Sequence, residues 1–120
     1  MGCVLLIDDD AVQLRVRETV LRQAGFQVCV ATSGEGALAL LRSEAVDVDA
    51  AVCDHVLPGI GGPELVRRLR ELRPQLPVVV LTGRPGVEHE YAGLQVAFRL
   101  KPLPPPELIA LLLSLVRRAA

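Results

Sequence analysis

Four short apolar runs, each ending at a polar residue, constrain the fold of this chain more than any other feature. The runs cover residues 3–7, 50–53, 77–81 and 96–100. The polar residues at their ends are Asp8 and Asp9, Asp54, Thr82 and Lys101. Continuous apolar runs of this length predict strands covered on both faces, as in a parallel sheet. Because a parallel sheet binds its ligands outside the carboxyl ends of its strands, we expect these side chains to share one site.

The segments between these runs predict helices. A further strand is expected at residues 26–31. Helices are expected at residues 11–24, after Ser33, from about Gly62, at residues 83–93 and from about Glu107. The fourth of these is the weakest, because three glycines and a proline interrupt it. Five strands alternating with five helices predict an α/β doubly wound parallel sheet with helices on both faces, since parallel neighbours need crossover helices.

Apolar periodicity predicts which side of each helix is buried. In the first helix the expected inward residues are Val12, Val16, Val20 and Leu21. In the third helix the arginines are expected to face solvent; they are Arg67, Arg68, Arg70 and Arg73. In the fifth helix the expected inward residues are Leu108, Leu111, Leu112 and Leu115. That choice leaves Ile109, Leu113 and Val116 on an apolar flank, which suggests a homodimer or partner contact through this helix.

Length, charge and composition exclude several classes of protein. A chain of 120 residues is long enough for one core, so we expect a single domain over residues 1–120. A net charge of −1 is not the basic footprint that nucleic-acid binding requires. The most apolar helix candidate, residues 108–116, is too short to insert into a membrane. No secretory signal precedes the first strand, so we expect a cytoplasmic protein.

The cysteines fit that location. Cys3, Cys29 and Cys53 each fall inside a predicted strand, and none forms a CxxC pair. We expect three buried free thiols, as is usual in a reducing compartment.

The strand-end residues together predict a phosphoryl-transfer site. Asp8, Asp9 and Asp54 would gather negative charge that needs a cation, and an all-oxygen ligand set suits Mg²⁺. Thr82 offers a hydroxyl, and Lys101, the only lysine beside twelve arginines, offers a compact positive charge for phosphoryl oxygens. Since a carboxylate can itself be the nucleophile, the set indicates a phosphorylatable Asp54 with its own metal.

The same residues resemble those of the receiver domain of two-component response regulators, over essentially the whole chain. The matching motifs are residues 7–10, Cys53-Asp54 followed by Leu57-Pro58-Gly59, residues 81–83 and Lys101-Pro102. The resemblance implies a flavodoxin-like strand order 2-1-3-4-5. It also implies a signalling phosphoacceptor, not an enzyme, which at most catalyses its own phosphorylation and dephosphorylation.

The resemblance further implies a role for each site residue. Asp54 would accept a phosphoryl group from a phosphohistidine. Asp9, Asp54 and the backbone carbonyl of Val56 would ligate Mg²⁺, for which Mn²⁺ can substitute, and Asp8 would help through water. Thr82 and Lys101 would contact the phosphoryl oxygens. Thr82 and Phe98 would form the switch to a signalling surface, and the Lys101-Pro102 bond would be cis.

The implied partner is a histidine kinase or a histidine phosphotransfer protein. Residues 57–65 resemble receivers fused to hybrid histidine kinases, which leaves open whether the chain is a stand-alone regulator or part of a larger protein. A phosphorylation-independent docking module is the alternative function. A haloacid-dehalogenase-type phosphatase is excluded because Val56 stands where it needs a second Asp. A dinucleotide-binding domain is excluded because no GxGxxG follows the first strand.

Three positions near the site depart from the family pattern or add to it. Val56 supplies no polar side chain beside the phosphate, and Arg84 is basic, so the lifetime of the phosphorylated state stays open. His55, next to Asp54, is expected to be a partly exposed loop residue.

Overall fold

A five-stranded parallel sheet runs through the middle of the computed structural model, which describes residues 2–119 and the side chains up to residue 117. The strands are β1 Cys3–Ile7, β2 Gln27–Ala31, β3 Val48–Asp54, β4 Val78–Thr82 and β5 Ala97–Leu100. Their order is β2-β1-β3-β4-β5, which confirms the predicted doubly wound, flavodoxin-like fold. The helices are α1 Ala11–Gln23, α2 Gly34–Ser43, α3 Gly62–Leu72 and α4 Pro105–Ala119.

Helices cover both faces of the sheet, and each face has its own core. Leu38 and Leu41 of α2 and Leu65 and Leu69 of α3 pack on one face. On the other face, Leu14 and Leu21 of α1 meet Leu108 and Leu112 of α4. All five residues of β1 and all five of β4 are buried, as expected for strands covered on both sides.

The predicted helix at residues 83–93 is wrong. The segment contains only the 3₁₀ turn Glu88–Tyr91. Gly86 and Gly93 flank that turn with φ of +85° and +78°, a backbone conformation that ends a right-handed helix. The sheet is consequently less covered here. Leu100 at the end of β5 is 48% exposed.

The predicted buried face of α1 is also wrong in part. Val12 is 73% exposed and Val16 is 55% exposed, whereas Leu14 and Leu21 are buried. Residues 12, 16 and 20 and residues 14 and 21 both follow helical spacing. The placement of the helix over the sheet decides between the two sets, and it puts Leu14 and Leu21 on the core.

The apolar flank predicted on the last helix, now α4, is smaller than expected. Leu108 and Leu112 are buried, while Leu111 and Leu115 are half-buried. Ile109 and Val116, assigned to the free flank, are half-buried and pack against the same core. Of the three flank residues, only Leu113 is exposed, at 41%.

Two of the four arginines predicted to face solvent do not: Arg70 of α3 and Arg73, which caps the end of α3. Arg70 donates hydrogen bonds to the backbone carbonyls of Leu94, Leu76 and Gln95. Arg73 donates to the carbonyl of Leu41 at 3.3 Å. Only Arg67 and Arg68 are exposed. An arginine offers five N–H donors, so one side chain can hydrogen-bond several backbone carbonyls.

All three thiols are free, and Cys3 and Cys53 are buried as predicted. The prediction is wrong for Cys29, which is half-buried because β2 is an edge strand of the sheet. Between residues 2 and 119, the structure contains no helix with the length and apolarity to cross a bilayer.

Candidate functional site

The register of the sheet brings the predicted site residues to one edge. Ile7 pairs with Cys53, so Asp8, which follows β1, lies beside Asp54, the last residue of β3. Thr82 pairs with Leu100, which places Lys101 next to the end of β4. The backbone N–H of Lys101 donates to the carbonyl of Thr82 at 2.7 Å. The strand ends therefore converge as the sequence predicts.

Three carboxylates lie together at this edge. Asp8, Asp9 and Asp54 each offer one oxygen, and these oxygens lie within 4.8 Å of one another. Asp8 is buried, Asp9 is exposed and Asp54 is half-buried. All the donors are hard oxygens on a partly open surface, which suits a cation that keeps several of its waters. The residues present fit a small divalent cation such as Mg²⁺.

Lys101 contacts one carboxylate of this cluster, that of Asp54. Its Nζ lies 3.1 Å from Oδ1 of Asp54 and donates to Oε1 of Gln13 at 3.0 Å. The peptide bond from Lys101 to Pro102 is cis, as expected. The only lysine of the chain therefore forms an ion pair with the carboxylate at the end of β3.

A second cation, Arg17, contacts another carboxylate of the cluster, that of Asp8. Nη1 of Arg17 is 2.7 Å from Oδ2 of Asp8, and Nη2 donates to Oε1 of Gln13 at 3.0 Å. Neither Arg17 nor Gln13 was predicted as a site residue from the sequence. One signal for them was available in the sequence. Their spacing of four residues places both on one side of a helix that begins beside the acidic run.

Asp10, the third residue of the acidic run, is a helix cap. Its carboxylate accepts from the backbone N–H groups of Val12 and Gln13 at 3.0 and 3.2 Å. The hydrogen bond from the Gln13 backbone is the main cause that lowers the pKa of Asp10 below its ordinary value. The cap fixes where α1 begins and so brings Gln13 and Arg17 over the cluster.

Comparison with known proteins identifies the family. The family described as response regulator receiver domain matches residues 4–113. The chain belongs to this family. PrrA of Mycobacterium tuberculosis, a transcriptional regulatory protein, is 37% identical over 118 residues, which are 96% of this chain and 50% of PrrA. The chain spans about half the length of the curated relatives it matches.

Solved receiver structures agree with this assignment. A response regulator receiver protein from Sinorhizobium medicae is 30% identical with a TM-score of 0.89, over 99% of this chain and 97% of that one. The receiver domain of the hybrid histidine kinase CckA is 28% identical with a TM-score of 0.81, over 96% and 99%. The chain is thus a signalling phosphoacceptor domain of two-component systems, and a phosphorylation-independent docking module is not favoured.

Thr82 of the receiver domain is the last residue of β4, and Phe98 lies in β5. Thr82 is 2% exposed, and its Oγ1 accepts from the backbone N–H of Arg84 at 3.1 Å. Phe98 is half-buried, and the centre of its ring lies 6.1 Å from that of Tyr91. The hydroxyl and the aromatic ring are on neighbouring strands. Their roles as a switch stay a prediction, as does the carbonyl of Val56 as a ligand.

His55 is not the partly exposed loop residue that we expected. It is 8% exposed, and its Nδ1 lies 2.6 Å from the hydroxyl of Tyr91. Its Nε2 is 3.8 Å from a carboxylate oxygen of Glu90. The expectation failed because the partners of His55 belong to the turn Glu88–Tyr91, more than thirty residues along the chain. Burial raises the pKa of Tyr91, so its phenol stays protonated and can hold this bond.

Cys53 precedes Asp54 but takes no part in the site. It is fully buried in the core formed with α2 and α3. Burial raises the pKa of its thiol to about 12, so the nucleophilic thiolate is not formed near neutral pH.

An open apolar groove borders the site. It has a volume of about 540 Å³ and runs between the start of α1 and the start of α4. The exposed side chains of Val12 and Val16 form one wall, and Leu103 and Pro105 form the other. Lys101, which pairs with Asp54, also lines the groove, so the groove borders the carboxylate cluster.

Proposed function

We propose that this receiver domain accepts a phosphoryl group from a phosphohistidine onto Asp54. The observation that carries the proposal is the ion pair at 3.1 Å between Lys101 and Asp54, inside a cluster with Asp8 and Asp9. A half-buried carboxylate with a fixed cation beside it can approach a phosphoryl group, whose oxygens Lys101 then contacts. We propose the whole of residues 1–120 as one receiver unit.

The transfer forms one bond and breaks one. A carboxylate oxygen of Asp54 attacks phosphorus, and the bond between phosphorus and the donor's imidazole nitrogen breaks. The electron pair of that bond stays on the imidazole, which returns to its neutral form after taking up a proton. The product is an aspartyl phosphate. In our proposal the domain contributes to this transfer and to the later hydrolysis of its aspartyl phosphate. It acts on no other substrate.

The cation of the site is proposed to be Mg²⁺, with Mn²⁺ as a substitute. Asp9, Asp54 and the carbonyl of Val56 would ligate it, with Asp8 acting through water. The ion offsets charge on the carboxylates and on the phosphoryl oxygens. The clustering of three carboxylate oxygens within 4.8 Å supports this assignment.

The phosphorylated state is proposed to act through Thr82 and Phe98. The Thr82 hydroxyl, which accepts a hydrogen bond from the Arg84 backbone, would donate its own proton to a phosphoryl oxygen. Phe98 would then move further into the space beside Tyr91. The turn Glu88–Tyr91, which packs on Phe98 and His55, would transmit the change to the surface.

The donor is proposed to be a histidine kinase or a histidine phosphotransfer protein that docks on the groove beside Lys101. A phosphohistidine must come within bonding distance of Asp54, so its carrier must cover the surface that leads there. The exposed Val12 and Val16 give that surface an apolar character. We propose a cytoplasmic location, which the three free thiols support.

Mass spectrometry of the intact protein tests the assignment of Asp54. After incubation with acetyl phosphate and Mg²⁺, we expect the wild type to gain one phosphoryl group and Asp54→Asn to gain none. The asparagine variant keeps the shape of the side chain, so circular dichroism should show the same fold. An adduct on Asp54→Asn, or no adduct on a folded wild type with either acetyl phosphate or phosphoramidate, would overturn the proposal.

A further inference from the structure

The buried carboxylate of Asp8 has both of its oxygens bonded within the protein. Asp8 is 1% exposed. Its Oδ1 accepts from the backbone N–H of Asp10 at 2.9 Å, and its Oδ2 accepts from Nη1 of Arg17 at 2.7 Å. A buried carboxylate is costly unless it is paired and hydrogen-bonded, and Arg17 supplies the charge that Asp8 needs.

Arg17 is held in place on its other side. Its Nη2 donates to Oε1 of Gln13, and the same oxygen accepts from Nζ of Lys101 at 3.0 Å. The Arg17 side chain is 17% exposed, so solvent screens its charge only in part. Two cations thus flank the carboxylate cluster, one on Asp8 and one on Asp54, and a single amide oxygen joins them.

We infer that Arg17 is the internal counter-ion of the carboxylate cluster. Its guanidinium holds Asp8 in place before Mg²⁺ binds, and it opposes the binding of Mg²⁺. The inference rests on the proposed function, since it assumes that Asp8, Asp9 and Asp54 form the magnesium site. Arg17 touches neither phosphate nor the reacting atoms, so it is a positioning residue. It sets the concentration of Mg²⁺ at which the site fills.

The sign of the effect follows from charge. A guanidinium keeps its positive charge at any ordinary pH. It lowers the negative potential that attracts a divalent cation, and it occupies an oxygen of Asp8 that would otherwise bond to metal-bound water. Removal of Arg17 should therefore tighten Mg²⁺ binding by about 3- to 10-fold, while the protein without Mg²⁺ loses stability.

Two variants on the same helix separate this effect from a change in net charge. Arg17→Met removes the guanidinium and keeps an unbranched side chain. Arg15→Met makes the same chemical change at an exposed position of α1. Isothermal titration with MgCl₂ should give a dissociation constant about 3- to 10-fold lower for Arg17→Met and within about twofold of wild type for Arg15→Met. Arg17→Lys keeps a positive charge, so its dissociation constant for Mg²⁺ should be close to the wild-type value.

Thermal melting in EDTA and in saturating MgCl₂ supplies the second measurement. Arg17→Met should melt lower than wild type in EDTA, and Mg²⁺ should raise its midpoint by more than it raises the wild-type midpoint. If Arg17→Met is unfolded in EDTA, we expect Mg²⁺ to refold it, and failure to refold would overturn the inference.

The outcomes distinguish the inference from the proposed function. If the wild type binds no Mg²⁺, the metal part of the proposed function is wrong. If the wild type binds Mg²⁺ but Arg17→Met binds it equally or more weakly, only the inference is wrong. A stabilising arginine without an electrostatic role would lower the melting temperature in EDTA and leave the Mg²⁺ affinity unchanged.

Discussion

Gly62, the first residue of α3, lies against the buried hydroxyl of Tyr91. A Cβ atom at this position would overlap that hydroxyl and would lie 3.0 Å from the carbonyl oxygen of His55. The Gly62 backbone N–H donates to the same carbonyl at 3.1 Å. The absence of a side chain at residue 62 therefore lets the end of β3, the start of α3 and the turn Glu88–Tyr91 meet at one point.

Gly62→Ala should destabilise the protein by about 1–3 kcal/mol, because the extra methyl group forces the Tyr91 hydroxyl or the backbone to move. Urea unfolding measures the change. In a Tyr91→Phe background the alanine should cost less, since the overlapping hydroxyl is gone. Gly83→Ala is the control, because a Cβ added at residue 83 would meet no atom within 4 Å apart from its chain neighbours. Equal effects of alanine at both glycines, or strict additivity with Tyr91→Phe, would contradict this account.

At the scale of elements, one side chain of α3 organises the segment that replaces a helix. Arg70 donates to the carbonyls of Leu76, Leu94 and Gln95, which precede β4 and β5. Gln95 has a φ of +56°, an uncommon value for a residue other than glycine, so the segment there needs support from outside. Arg70 thus anchors the segment 83–96 to α3.

Arg70→Met should destabilise the protein by about 1–2 kcal/mol, because three backbone carbonyls lose a charged hydrogen-bond donor. The loss is not larger because water can reach part of the site and bond to the carbonyls. Hydrogen exchange should show faster exchange of the amides of residues 91–97 than in the wild type. Arg67→Met on the same helix removes only a surface pair with Glu64 at 3.5 Å, and should change stability by less than about 0.5 kcal/mol. Similar losses in both variants would show that Arg70 is an ordinary surface charge.

At the scale of the whole molecule, the proposed docking groove is assembled from distant parts of the chain. The start of α1, the residues after β5 and the start of α4 line it together, and the lining includes Lys101, the partner of Asp54. A small donor such as acetyl phosphate needs only the carboxylate site. A protein donor must also cover the groove, so the two donors should respond differently to a change in its wall.

Val16→Glu should slow transfer from a histidine kinase that phosphorylates the wild type by roughly tenfold or more, since about 1.4 kcal/mol of lost binding gives that factor. An unpaired carboxylate in an apolar contact costs at least this much. Rapid-quench assays with the radiolabelled kinase measure the rate, and acetyl phosphate gives the reference rate for each variant. Val46→Glu, on an exposed loop outside the groove, should leave the kinase reaction unchanged. Equal slowing of transfer from the kinase and from acetyl phosphate would show that the groove is not the docking surface.

The sequence by itself determined the sheet, most of its alternation with helices and which residues stand at its carboxyl edge. Strand runs and their final residues are local features, and parallel pairing then brings Asp8, Asp54, Thr82 and Lys101 together. Where local signals conflicted, as at Gly86 and Gly93, the sequence only marked the helix as weak.

Only the tertiary structure decided which of several compatible faces and partners were used. The exposed Val12 and the buried Leu14 follow equally good helical spacings, and the position of α1 over the sheet chose between them. The pair of His55 with Tyr91 and that of Arg17 with Asp8 depend on where separate elements lie in space. Periodicity gives the direction of a side chain within its own element, whereas such contacts depend on the distance between elements, which packing alone sets.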